Sequence, residues 1–137
     1  MWVATVDCFQ HWIYENPSHT AFERAKEWIN IRKRFGADLI DWRGLNEEHE
    51  YLWHRQLHIF EVPFYYIEYG IAQLGALQIW LNAKKNWSKA LKLYQDGLSL
   101  GGSKSLPELF VAAGIRFDFS RQTIEPLMDE VCREIKL

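Results

Sequence analysis

The stretch that decides the fold is the aromatic centre of the chain, residues 53–69. It reads Trp53-His54-Arg55-Gln56-Leu57-His58-Ile59-Phe60-Glu61-Val62-Pro63-Phe64-Tyr65-Tyr66-Ile67-Glu68-Tyr69. A histidine is followed by a proline and then by three tyrosines within residues 65–69. Hydroxyls and an imidazole are costly beside an apolar core unless they have hydrogen-bond partners. The stretch therefore predicts groups that are paired with one another or with something bound.

Outward from this stretch, the spacing of apolar residues predicts helices in both directions. Thr20 and Glu23 have the spacing of a capping box, and Pro63 is expected to start the longest helix. Helices are expected over residues 2–15, 20–36, 46–61, 63–84 and 87–98, then from Pro107 and from Ser120. No useful length alternates apolar and polar residues as a strand would. The sequence therefore predicts one all-α domain, residues 1–137, of about seven helices.

The composition limits the partners and the compartment. A formal net charge of -2 gives the chain no basic drive toward nucleic acid or an anionic membrane. Cys8 and Cys132 lie far apart in no paired motif, so a reducing compartment, the cytoplasm, is expected. Residues 63–81 are apolar, but their polar side chains fall on different faces of a helix, which favours a buried helix over a membrane span.

Two histidines of the central stretch raise the question of a metal site. His54 and His58 are four residues apart, which places them on one face of a helix, and Glu50 extends that face. Two histidines and a carboxylate are a possible zinc donor set. However, Arg55 stands where a zinc protease needs its glutamate base, and an arginine disfavours a nearby dication. We therefore expect structural or substrate-facing histidines and no metal on this chain alone.

The stronger candidate site consists of His58 and the three tyrosines that follow it. On a helix that begins at Pro63, Tyr65 and Tyr69 share a face, and Tyr66 and Tyr69 are also neighbours. Such donors can hold a peptide carbonyl and stabilise an oxyanion. The alternative is an aromatic core face whose buried hydroxyls bond to the backbone. The spacing alone leaves both interpretations open.

Several segments, spread over essentially the whole chain, carry a family resemblance. They are Phe9-Gln10-His11-Trp12, Trp53-His54-Arg55-Gln56-Leu57-His58-Ile59-Phe60, Pro63-Phe64-Tyr65-Tyr66-Ile67-Glu68-Tyr69-Gly70-Ile71-Ala72-Gln73, Leu98-Ser99-Leu100-Gly101-Gly102-Ser103 and Leu106-Pro107-Glu108-Leu109-Phe110. Together they resemble the C-terminal part of oligoendopeptidase F-type enzymes, in the thimet oligopeptidase family of zinc metallopeptidases. The two central segments are the most specific.

The resemblance implies a mostly helical fold, of which this chain would be the C-terminal helical portion, with two lobes around a deep channel. In the family, a His-Glu-x-x-His helix and a downstream glutamate hold zinc, and the motif glutamate activates water. A later histidine and tyrosine bind the substrate and the oxyanion. By resemblance, His58, Tyr66 and Tyr69 are the candidate catalytic residues. His54 and Tyr65 are candidate substrate-binding residues.

The chain departs from the family pattern in one decisive respect, because no His-Glu-x-x-His occurs in its 137 residues. The zinc ligands and the base are therefore expected upstream of Met1, and this chain would be roughly the last quarter of such an enzyme. Without the metal, the main sources of rate in this chemistry are missing.

Two functional hypotheses follow. The first is the substrate-binding and oxyanion-stabilising part of a zinc oligoendopeptidase for short peptides. It would be inactive alone, with the zinc-binding part as its partner. The second is a stand-alone, non-catalytic helical module that binds or self-associates through its tyrosine-rich apolar face.

Overall fold

The computed structural model describes residues 1–36 and 39–136. Within these ranges all regular secondary structure is helical, which confirms the predicted all-α class. The helices are α1 (Trp2–Glu15), α2 (Ala21–Arg34), α3 (Asn46–Glu50), a 3-10 helix (Leu52–Arg55), α4 (His58–Glu61), α5 (Ile67–Lys85), α6 (Trp87–Ser99), α7 (Leu106–Ala112) and α8 (Arg121–Glu134). None of the helices in the described ranges is long and apolar enough to cross a membrane.

The single helix predicted over residues 46–61 is wrong, because the chain there forms three short helices. Gln56 ends the 3-10 helix with φ -95° and ψ 85°, outside the helical region. The break comes immediately before α4, so His54 lies on the 3-10 helix and His58 begins α4. The prediction that His54, His58 and Glu50 share one helical face is therefore wrong as well.

The prediction that Pro63 starts the long helix is also wrong, because α5 begins at Ile67. The backbone N–H of Tyr65 donates to the carbonyl of Val62 at 3.1 Å, and Phe64 has a φ of 62°. Proline followed by a positive φ is the pattern of a type II turn, which cannot continue into a helix. Consequently only one of the three tyrosines lies on α5.

The chain divides into two compact units, residues 1–70 and residues 71–137. The boundary falls within α5, and each unit is described by itself. The single domain expected from the sequence stays a prediction.

The core of the first unit is built around Phe9 of α1. This ring is fully buried and lies 5.0 Å from Trp28 of α2 and 5.3 Å from Trp53 of the 3-10 helix, between ring centroids. Ile59 of α4 is buried in the same cluster. Burial of these large rings stabilises the unit by about 25 cal/mol for each Å² of apolar surface removed from water. Phe9 thus joins α1 to α2 and to the 3-10 helix.

Beside this core, the guanidinium of Arg32 lies over the rings of three tryptophans. Its distances to the ring centroids are 5.3 Å for Trp2, 5.9 Å for Trp28 and 5.5 Å for Trp42. His49 stacks on Trp42 with centroids 4.1 Å apart and is only 7% exposed. Burial lowers the pKa of His49, and the charges of Arg32 and Lys33 lower it further. The neutral imidazole is therefore the form that this packing favours.

Side-chain contacts link the helices and loops of the second unit. Gln78 of α5 exchanges two hydrogen bonds of 2.9 Å with the backbone of Arg116. Lys84 bridges to Glu130 of α8 at 3.1 Å. An apolar groove of about 570 Å³ lies among α5, α6 and α7 and is lined by residues such as Trp80.

The buried His49 predicts a pH dependence of stability. Its folded pKa lies below the ordinary value of 6.5, so the unfolded chain binds the proton more readily as the pH falls through 6.5. The free energy of unfolding should therefore decrease from pH 7.5 toward pH 5, and this decrease should be smaller in His49→Gln. Urea unfolding at each pH measures it. The pKa of carboxylates such as Glu23 is also lowered, but their contribution to the free energy of unfolding is lost only below about pH 4.5. Equal slopes for both proteins would contradict the prediction.

Candidate functional site

The structure brings together four of the five candidate residues into what we name the His–Tyr cluster: His58, Tyr65, Tyr66 and Tyr69. The ring centroid of His58 lies 6.3 Å from Tyr65, 4.8 Å from Tyr66 and 5.6 Å from Tyr69. Tyr69 also lies 5.9 Å from Tyr65 and 5.1 Å from Tyr66. The cluster belongs wholly to the first unit.

Three elements position the cluster. His58 is the first residue of α4, and Tyr69 lies in the first turn of α5. Tyr65 and Tyr66 precede α5, in and just after the turn at Pro63. The turn folds the chain back, so residues 11 positions apart meet side by side. The predicted helix from Pro63 would instead have placed all the tyrosines on one helical face.

A chain of hydrogen bonds runs through the site. The indole Nε1–H of Trp2 donates to Gln56 Oε1 at 3.0 Å. Gln56 Nε2 lies 2.7 Å from His58 Nδ1. His58 Nε2 lies 3.2 Å from the hydroxyl of Tyr69. Both nitrogens of the imidazole are therefore engaged, and the ring is fixed between an amide and a phenol.

The three tyrosines differ in exposure. Tyr65 is 51% exposed and Tyr69 is 48% exposed, whereas Tyr66 is half-buried and packs against the core of the first unit. The core-face interpretation thus describes Tyr66 better than the other two. Tyr69 combines an engaged hydroxyl oxygen with access to solvent.

The remaining candidate, His54, does not join the His–Tyr cluster. Its ring lies 4.1 Å from Trp53, 5.3 Å from Tyr51 and 6.4 Å from Phe60, between centroids. His54 is exposed. Its predicted role as a substrate-binding residue stays a prediction.

Among the described residues, the donor set around His58 does not fit a zinc site. His58 has Gln56 and Tyr69 at its two nitrogens, neither of them a carboxylate, thiol or second imidazole. Throughout residues 1–36 and 39–136, no group of three or more His, Cys, Asp or Glu is placed to hold a metal ion.

Sequence reasoning missed the two glutamines that organise the site. Gln56 connects Trp2 to His58, and the fully buried Gln10 accepts a hydrogen bond of 3.3 Å from the backbone N–H of Phe64 at the turn. For Gln10, the available signal was its place beside Phe9 in the predicted first helix, because a buried amide needs partners. Trp2 gave no signal beyond its apolar character.

Comparisons with known proteins found a matching family and a similar solved structure. The sequence pattern of Peptidase family M3 matches residues 1–128. A 3.1 Å X-ray structure of a protein assigned as an oligoendopeptidase F superposes with a TM-score of 0.89 at 34% sequence identity. That match covers 98% of this chain and 24% of the other, so the chain spans about a quarter of its relative's length. No curated protein matches the sequence.

The helical fold of this chain matches that of an oligoendopeptidase F over 98% of the chain's own length. It is therefore the fold of a segment of a peptidase. This chain belongs to Peptidase family M3. The resemblance inferred from the sequence motifs is thereby confirmed, as is the kinship of its fold with the helical portion of an oligoendopeptidase F. Peptidases of this family are in general zinc-dependent.

The different burial of two adjacent tyrosines makes a stability prediction. Tyr66→Ala should lower the free energy of unfolding by about 1–3 kcal/mol, because it removes a ring packed on the core. Tyr65→Ala, at a half-exposed ring, is the matched control and should cost less than about 1 kcal/mol. Urea denaturation followed by tryptophan fluorescence measures both. Equal losses would contradict the assignment of Tyr66 to the core.

Proposed function

We propose that this chain is the C-terminal substrate-binding and oxyanion-stabilising part of a zinc oligoendopeptidase that hydrolyses short peptides. The observation that carries the proposal is the contact between His58 Nε2 and the hydroxyl of Tyr69 at 3.2 Å, in a side chain that is 48% exposed. A phenol held in this way is oriented before the substrate arrives, and oriented donors are the main source of oxyanion stabilisation. Family membership supplies the reaction class.

Each residue of the cluster has a proposed role. Tyr69 donates its hydroxyl hydrogen to the oxygen of the scissile carbonyl as negative charge develops there. His58 holds that hydroxyl, and Tyr66 supports His58 from the core side. Tyr65 and His54, both exposed, contact the peptide on either side of the reacting group.

The zinc of the complete enzyme is proposed to come from another segment. No His-Glu-x-x-His occurs in these 137 residues, and the donor set around His58 does not suit a metal. When bound, zinc would supply a Lewis acid and an activated water. The chain alone is therefore proposed to bind peptides without cleaving them, with the zinc-binding part as its partner.

We also propose a cytoplasmic location. Cys8 and Cys132 are both free thiols, and unpaired cysteines are typical of a reducing compartment.

A chimera tests the catalytic role. Residues 1–137 would replace the matching segment of the 34% identical oligoendopeptidase F. In an active chimera, Tyr69→Phe should lower kcat by roughly 10²–10³-fold with little change in KM, because the lost hydrogen bond forms fully only in the transition state. Cleavage of a quenched fluorescent peptide over a range of concentrations gives both constants.

The control in the chimera is Tyr94→Phe, at an exposed tyrosine of α6 in the second unit, which should leave kcat unchanged. An unchanged kcat in Tyr69→Phe would remove Tyr69 from the proposed role. A folded chimera without activity would count against the chain as a working part of such an enzyme.

A second candidate function is self-association, as a non-catalytic module. It is favoured by a run of exposed apolar side chains beside the cluster, since Leu57 is 59%, Phe60 55% and Val62 43% exposed. Clusters of exposed apolar side chains often mark a surface that another protein covers. In the first proposal, the rest of the enzyme would cover it.

Light scattering after size exclusion separates the two candidates. Self-association predicts a mass that rises with concentration, and Leu57→Ser should return the chain toward a monomer. Val111→Ser, at another exposed aliphatic residue in α7, is the control and should not change the mass. A monomer at every concentration would contradict self-association.

A further inference from the structure

The amide of Gln56 has its orientation set by Trp2. An indole nitrogen is a donor only, so the Gln56 atom that faces Trp2 Nε1 at 3.0 Å must be the carbonyl oxygen. The amide nitrogen then faces His58 Nδ1 at 2.7 Å. Trp2 is held in turn by Trp28, whose ring lies edge-on at a centroid distance of 5.8 Å, and by Arg32 above it. The orientation of the amide is thus fixed by the core.

The oriented amide determines which nitrogen of His58 carries hydrogen. The Gln56 NH₂ group can only donate, so His58 Nδ1 must accept with its lone pair. In a neutral imidazole the hydrogen then resides on Nε2, which faces the hydroxyl of Tyr69 at 3.2 Å. The Nε2–H therefore donates to the phenol oxygen.

The consequence reaches the hydroxyl hydrogen of Tyr69. A phenol oxygen that accepts from His58 does not donate back to it, so its hydrogen turns away from the imidazole. Among the described residues, the hydroxyl has no other hydrogen-bond partner. With the opposite tautomer, the Tyr69 hydroxyl would donate its hydrogen to the unprotonated Nε2 of His58. That hydrogen could then not be donated to a substrate.

We propose that Gln56, oriented by Trp2, is a positioning residue that holds His58 in the Nε2–H tautomer and so directs the hydroxyl hydrogen of Tyr69 outward, toward a carbonyl oxygen. The use of that hydrogen on a peptide rests on the proposed function. The tautomer itself does not, because it follows from donor and acceptor chemistry within the first unit.

Histidine tautomers can be measured directly on the 137-residue chain. Long-range ¹H–¹⁵N correlation spectra at pH 8, above the ordinary histidine pKa of about 6.5, distinguish a protonated from a bare ring nitrogen. The wild-type chain should give His58 as Nε2–H. Gln56→Glu should invert this to Nδ1–H, because a carboxylate accepts from both Trp2 and the imidazole. A His58→Gln variant identifies the signal.

The matched control is Gln122→Glu, the same chemical change at an exposed position of α8. It should leave the His58 signal unchanged. A wild-type His58 protonated at Nδ1, or a folded Gln56→Glu chain that keeps Nε2–H, would overturn the proposal.

A second variant guards against a Gln56→Glu chain that does not fold. Trp2→Phe removes the indole donor, so the amide of Gln56 is free to turn its oxygen toward His58. A second His58 population, protonated at Nδ1, should then appear. A single, unchanged Nε2–H signal would overturn the role of Trp2.

The chimera adds a kinetic test, and its outcome does not depend on the spectroscopic measurement of the tautomer. There, Gln56→Glu should lower kcat with KM nearly constant. Combined with Tyr69→Phe, it should lower kcat no further than Tyr69→Phe alone, since both changes withdraw the same hydrogen. If Gln56→Glu inverts the His58 tautomer but leaves kcat unchanged, Gln56 does set the tautomer, and the use of the Tyr69 hydrogen in catalysis is overturned. If His58 of the wild-type chain is protonated at Nδ1, the positioning role of Gln56 is overturned, and the proposed peptide binding is unaffected.

Discussion

The first unit depends on the burial of one phenylalanine. Phe9 is completely enclosed, and it is the ring against which both Trp28 and Trp53 pack. Trp28 Nε1–H also donates to the backbone carbonyl of His49 at 2.9 Å, so this ring connects α2 to α3 as well as to α1. Because the interior is close-packed, a shift of Phe9 would be felt at Trp53 and then along the segment that carries His58. The geometry of the candidate site therefore depends on the packing of α1 against α2 as well as on the tyrosines themselves.

Two glutamine side chains convert this apolar scaffold into a polar site. Gln56 leaves the helical conformation and uses its amide between Trp2 and His58. Gln10 uses its carbonyl oxygen to hold the N–H of Phe64, a residue in the left-handed region that few non-glycine residues adopt. The Phe64 ring also packs on His11 and Tyr14 of α1. The strained turn is thus stabilised from outside itself, as expected where a conformation serves a site.

Local signals in the sequence predicted much of the helical framework. The predicted Thr20–Glu23 capping box is present at the start of α2. These signals succeed because a cap satisfies backbone groups within a few residues. They fail between residues 46 and 66, where the helix breaks at Gln56 and at Pro63. At each break a glutamine side chain makes a hydrogen bond between residues 54 positions apart, Trp2 with Gln56 and Gln10 with Phe64, and no local pattern reveals such contacts.

The candidate site was predicted in composition but not in construction. The four clustered residues were identified from their types and from a family motif, whereas the helical face expected to hold them does not exist. A turn brings His58 and Tyr69 together instead, and the hydrogen-bonded glutamine between Trp2 and His58 was not foreseen. Residue identity therefore carried the chemistry, and tertiary packing carried the geometry.

The exposure of Tyr69 limits what the site can do by itself. A hydrogen bond to a developing negative charge is strong only where water is excluded, because the energy of interacting charges scales inversely with the effective dielectric constant. With 48% of the side chain open, water competes for the hydroxyl hydrogen. Under the proposed function, the segment proposed to bring the zinc would also have to cover this face and lower the effective dielectric constant around Tyr69. Under the proposed function, the partner would therefore contribute the electrostatic environment of Tyr69 as well as the zinc.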